Sequence, residues 1–155
     1  MFAVNITRTI HCPTPDAFAY LSNFENDPQW WTGVLAAKRT STTAQGVGTT
    51  FWQLNRLMGV RFPVTLEVTA YEPNQRISVR STSGLVPFSA TYLFESVTNG
   101  TRFTLLSEVE AGGWLFKLAG PVFRRYLEKV TARNFDNLKV VLEKRAAGQS
   151  AGSSS

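Results

Sequence analysis

From Leu35 to Glu110 apolar and polar residues alternate with period two, and turn formers cut the alternation at short intervals: Gly46 and Gly48, Gly59, Glu72-Pro73-Asn74-Gln75, Gly84 with Pro87, and Asn99-Gly100. A half-buried strand requires this alternation, because successive side chains leave a strand on opposite faces. Six strands are expected, near 35–42, 48–58, 61–72, 76–83, 87–96 and 101–110, with Asn99-Gly100 as the strongest hairpin signal. Connections so short cannot cross over a sheet, so neighbouring strands must be antiparallel. An additional strand is expected at 3–11, with Val4, Ile6, Arg8 and Ile10 on one face and Pro13 ending it.

Two short helices are expected between this first strand and the second. Thr14 suits an N-cap, Pro15 the first helical position and Asp16 the helix dipole, with Ala17, Phe18, Tyr20 and Leu21 forming an apolar stripe. Asp27 and Pro28 repeat the cap-then-proline pattern before Trp30 and Trp31. Gly112-Gly113 breaks the period-two pattern. From there to about residue 146 a long helix is expected, striped by Phe123, Leu127, Val130, Leu138, Val141 and Leu142, with Pro121 kinking it or beginning its main segment. One such helix cannot cover a face of seven antiparallel strands unless the sheet curls around it. The expected architecture is therefore α+β, with a cavity wherever side chains fail to fill the space between sheet and helix.

The 155 residues, 43% hydrophobic and 17% charged, correspond to one domain. It is expected to span 1–147, followed by a disordered tail, 148–155, of small and polar residues. A single cysteine, Cys12, and a single histidine, His11, leave no intramolecular disulfide and no structural zinc set. No apolar stretch has the length of a membrane span and no secretory leader is visible, so a cytoplasmic protein is expected. Residues 112–147 hold eight basic residues against three acidic ones, which accounts for the whole net charge of +5. Such a face could make weak contact with an anionic surface. The simpler reading is a solvated helix face with the i,i+4 pairs Arg124-Glu128 and Lys139-Glu143.

Several segments carry a family likeness. Ile10-His11-Cys12-Pro13, Phe18-Ala19-Tyr20-Leu21, Asn26-Asp27-Pro28-Gln29-Trp30 with Gly33-Val34, and Gly46-Val47-Gly48-Thr49 follow in order. Tyr92-Leu93-Phe94-Glu95, Gly100-Thr101-Arg102, Leu138-Lys139 and Leu142-Glu143 complete the series. In order and spacing, over about residues 3–144, they resemble the START-like, or SRPBCC, helix-grip superfamily, in its polyketide cyclase/dehydrase and lipid-transport group. The resemblance implies a curved seven-stranded antiparallel sheet wrapped around the C-terminal helix, and a cavity for small apolar or amphipathic molecules. That family includes carriers, receptors and aromatase/cyclases and has no universal catalytic residue, so it assigns none here.

Alternation nominates the cavity lining. Phe103, Leu105 and Val109 bring Ser107 inward, Phe51 and Leu57 bring Gln53 and Asn55, and Ile77 and Val79 bring Ser81. Trp52 and Leu54 argue for the opposite register in the 48–58 strand. On the helix, Leu127 lies on the stripe, and Asn134 falls between Val130 and Leu138. Trp30 and Tyr92 complete the candidate set. A mostly apolar pocket with a few polar groups is the usual form of a small-molecule site. Each polar group could instead be satisfied by neighbouring backbone or buried water.

Arg8, on an inward face, must be paired or solvated: by a ligand carboxylate, or by an acid such as Glu110. His11 and Cys12, adjacent on a strand, point apart and form no nucleophile pair. Glu67, Glu108 and Glu110 should face solvent, which leaves no acid/base pair. No metal or organic cofactor is expected. Gly46-Val47-Gly48 leads into a strand, where a phosphate site would need a helix N-terminus. The leading expectation is a small hydrophobic ligand (lipid, polyketide or aromatic) held between sheet and helix. A polyketide aromatase/cyclase and a basic-surface interaction module stand as alternatives, and nucleic acid is not expected as a partner.

Overall fold

The chain enters on β1 (Phe2–Ile10), turns through α1 (Thr14–Ser22) and a 3-10 helix (Phe24–Gln29), and continues through β2 (Val34–Arg39), β3 (Thr50–Leu57) and β4 (Val60–Glu72). β5 (Arg76–Ser83), β6 (Phe88–Val97), β7 (Gly100–Val109) and the long helix α2 (Trp114–Ser153) follow. The computed structural model describes residues 2–84, 87–110 and 114–153, so the break expected at Gly112-Gly113 lies outside the described residues. All strand pairs are antiparallel, in the order β1-β7-β6-β5-β4-β3-β2. Chain neighbours are sheet neighbours except that β1 crosses to the far edge beside β7. This is the α+β helix-grip architecture expected from the alternation.

Register shifts between Val34 and Ala36, between Thr65 and Leu66, and between Val68 and Ala70 interrupt the pairing. Such irregularities bend strands and increase their twist, which curls the sheet around α2. The concave face holds the core: Ile10, Phe51, Val64, Val68, Ile77, Phe103 and Leu105 from the strands meet Phe135, Leu138 and Leu142 from α2. In β3, Phe51 and Gln53 are buried while Trp52 and Leu54 remain half-exposed, so Gln53 and Asn55 face inward.

Four local expectations are corrected. Thr14 is the first residue of α1, not its cap. Its hydroxyl lies 2.8 Å from both Ser96 Oγ and Thr101 Oγ1, tying α1 to the β6–β7 turn. Asp27 is an interior residue of the 3-10 helix; Asn23 is the cap, its side chain accepting from the Glu25 N–H. At the β6–β7 hairpin the register joins Val97 to Gly100, so Thr98 and Asn99 form the turn and Asn99 takes the positive φ of 66°. Gly100 is needed for a different reason, since a Cβ there would lie 2.2 Å from the Ile10 carbonyl oxygen. Finally, Arg8 pairs with Asp136 of α2 at 3.3 Å and not with Glu110, because α2 packs across β1.

Pro121 lies inside α2, which runs unbroken from Trp114 and continues past the boundary predicted at Ala147 to Ser153. Residues 154 and 155 of the expected tail lie outside the described residues. Among the described residues no helix is long and apolar enough to cross a membrane.

Candidate functional site

A cavity of about 430 Å³ remains between the concave sheet, the Trp31–Val34 segment and the inner face of α2. Most of its wall is apolar. Leu66, Val79, Ala90 and Leu105 supply the sheet side, and Phe123, Leu127 and Val130 supply the helix side. Polar groups enter from Asp27, Gln53, Asn55, Tyr92 and Ser107. The strand positions follow from the pleat, which sends alternate residues of β3, β6 and β7 to one face.

Of the residues nominated from sequence, Gln53, Asn55, Tyr92, Ser107 and Leu127 stand together on this wall. Phe51 and Phe103 sit behind it in the core, each 1% exposed. The Phe103 ring stacks on Tyr92 at 5.6 Å and 12°, which fixes the tyrosine ring. Trp30 is buried against Trp31 and Phe135. Ser81 is engaged with its hairpin partner, accepting from the Phe88 N–H at 2.9 Å.

Asn134 is fully buried, as the helical phase requires, yet it serves the loop before β2. Its Oδ1 accepts from both the N–H and the hydroxyl of Thr32, each at 3.1 Å. From sequence, Asn134→Leu is a volume-conserving change of little cost. With these bonds in place it strands the Thr32 N–H, and a loss of about 1 kcal/mol in unfolding free energy is expected from denaturant titration.

The one acid in the cavity lining, Asp27, reads from sequence as a helix cap. On a 3-10 helix, with three residues per turn, Phe24, Asp27 and the following Trp30 fall on one face, and all three are buried. The only signal in the sequence is this three-residue spacing, masked by the Asp-Pro pattern. Asp27 Oδ2 accepts from Gln53 Nε2 at 2.8 Å, while Oδ1 has no hydrogen-bond partner among the described residues. Burial raises its pKa to about 8, outweighing the opposing pull of Gln53 and the nearby Trp30 indole. A carboxyl in that condition is protonated at neutral pH and can donate as well as accept.

Asn55 Oδ1 is likewise buried without a partner among the described residues. Burial, and then the Asp27 charge, hold the Tyr92 phenol above its ordinary range, so it stays protonated. Away from its mouth, where Arg56 and Arg133 stand exposed, the cavity thus presents neutral polar groups on apolar walls. Outside it, burial pushes the Cys12 thiol up and away from thiolate chemistry. Among the described residues no group of three or more His, Cys, Asp or Glu comes together.

The family model described as polyketide cyclase / dehydrase and lipid transport matches residues 1–143. The chain belongs to that family. Solved structures share its fold at low sequence identity. TTHA0849 from Thermus thermophilus has a TM-score of 0.73 at 21% identity, covering 96% of this chain and 99% of that one. A START superfamily protein from Mycobacterium smegmatis gives 0.70 at 14%, covering 96% and 99%. The Zhui aromatase/cyclase from Streptomyces sp. R1128 gives 0.75 at 13%, covering 92% and 94%. No curated protein matches the sequence. At these identities the likeness of this polyketide cyclase/dehydrase family member to the three structures concerns the fold alone.

Proposed function

We propose that the cavity binds one small, uncharged, hydrophobic or amphipathic molecule, of the lipid, polyketide or aromatic kind. The observation that carries this reading is the wall itself, apolar over most of its area and furnished with neutral hydrogen-bonding groups at Asp27, Gln53, Asn55 and Tyr92. Its volume of about 430 Å³ falls in the range of small-molecule sites. With Asp27 protonated the buried part of the cavity wall carries no charge, so an uncharged ligand loses least on leaving water there.

A neutral fluorescent naphthylamine such as N-phenyl-1-naphthylamine tests this. Its emission is expected to rise on binding, and Leu127→Trp, which places bulk in the cavity, is expected to weaken binding by about tenfold, or 1.4 kcal/mol. Binding left unchanged by that substitution would place the probe elsewhere and sink the reading. Native mass spectrometry of the purified protein would show any molecule already carried.

A second reading has one observation in its favour. Asp27 and Tyr92 are two buried, protonated donors on the wall of one cavity, and such donors can polarise a ketone toward its enol and so favour ring closure. Turnover of a poly-β-ketone thioester, lost in Tyr92→Phe with naphthylamine binding retained, would establish an aromatase/cyclase.

A further inference from the structure

The solvent-exposed members of the cavity lining mark its mouth: Thr32, Arg56, Met58 and Gly59 on one side, Tyr126 and Arg133 on the other. The first group centres on the β3–β4 hairpin, where Leu57 pairs with Val60 and Met58-Gly59 form the turn. Both turn residues have positive φ, 51° at Met58 and 83° at Gly59. Two-residue hairpins of that conformation favour Asn-Gly, and a long unbranched apolar residue is poorly suited to the first position. Met58 is nonetheless placed there, 70% exposed. A residue that local conformation and solvation both disfavour is a pointer to function.

The opposite rim repeats the chemistry. On α2, Val122, Arg125, Tyr126, Lys129 and Arg133 follow at helical spacing and form one stripe, with Val122 73% exposed. Arg56 and Arg133 stand on the mouth itself, and the one acid within the span of the α2 stripe, Glu128, is paired with Arg124. No acidic residue occurs between Asp27 and Glu67, or between Glu110 and Glu128. Arg56, Arg61, Arg125, Lys129 and Arg133 have no ion-pair partner among the described residues.

We propose that this rim docks on an anionic lipid bilayer, Met58 and Val122 entering the interfacial layer while the basic residues meet the headgroups. Exposed apolar tips set among unpaired cations suit a surface that is anionic outside and apolar beneath. Nucleic acid would use the cations and leave Met58, Val60 and Val122 in water. Docking brings the cavity mouth against the membrane, so an apolar ligand could pass between them without crossing water. That passage rests on the ligand reading above, whereas docking does not.

Sedimentation with vesicles tests the proposal. The wild-type chain is expected to bind vesicles of phosphatidylcholine mixed with phosphatidylglycerol, to bind pure phosphatidylcholine weakly, and to be released by salt. Lys129→Gln should weaken binding by about fivefold, and with Arg125→Gln by about twenty-five-fold. Met58→Asn is the decisive variant, since Asn fits the turn. It should melt at or above the wild-type temperature and still bind the mixed vesicles several-fold more weakly. Equal binding to both vesicle types, unchanged binding by Met58→Asn, or tighter binding to duplex DNA than to mixed vesicles would overturn docking. Naphthylamine binding in solution should be unaffected by Lys129→Gln and Arg125→Gln, which lie outside the cavity lining. Its absence from the wild type alongside intact vesicle binding would refute the ligand reading and leave docking standing.

Discussion

Raising the pH from 5 to 7 is expected to destabilise the wild-type chain, and Asp27→Asn is expected to abolish most of that loss. The carboxyl has a pKa of about 8 in the folded state against an ordinary 3.8. Below the lower value both states hold the proton and pH has no effect through this group. Between the two values the folded chain keeps a proton that the unfolded chain has released, so each rise in pH favours unfolding, by at most about 1.4 kcal/mol per unit. Above the upper value both states are ionised and the penalty is complete. Over two units the loss reaches at most about 3 kcal/mol, or roughly 6 to 12 °C in melting temperature for a chain of this size. Asparagine keeps the volume, can accept from Gln53 and does not titrate. Melting curves of both proteins across this range decide the matter: parallel pH profiles would show that Asp27 is ionised in the folded protein.

Asp27 also shows why the site was less legible than the fold. Strand positions could be read because one face of each strand is buried and the pleat repeats every two residues; Gln53 and Asn55 therefore came out on the inner face despite the competing pull of Trp52 and Leu54. The phase of α2 was legible for the same reason at period 3.6, and it placed Asn134 inward. Asp27 was missed because an Asp-Pro pair reads as a helix start, whereas the local backbone winds with three residues per turn and carries Asp27 to the buried face beside Phe24. Alternation states which way a side chain points but not what lies beyond it. Phe51 and Phe103 point inward as expected, yet the curl of the sheet puts them behind the cavity wall, and that curl comes from bulges without a clear sequence signature. The Arg8 partner lies 128 residues away on another element, beyond any local reading.

Phe135, which lies outside the apolar stripe expected for the helix, packs α2 against the sheet. It is fully buried, and its ring lies 5.0 Å from Phe103 on β7 and 5.9 Å from Trp30. A third ring, Trp31, which lines the cavity, lies 6.5 Å from it. Phe135→Ala removes all three contacts at once and leaves a void that these rings cannot readily fill. A loss of about 3 to 5 kcal/mol is expected, well above that for an average core substitution. Phe135→Leu keeps most of the volume and should recover more than half of it. Chemical denaturation of the two variants measures both quantities. Naphthylamine binding adds a further readout, because freeing Trp31 should loosen one wall of the cavity and weaken the probe more in Phe135→Ala than in Phe135→Leu, at temperatures where both are folded. A cost below about 1.5 kcal/mol for the alanine variant would mean that α2 is not held against the sheet through this ring cluster.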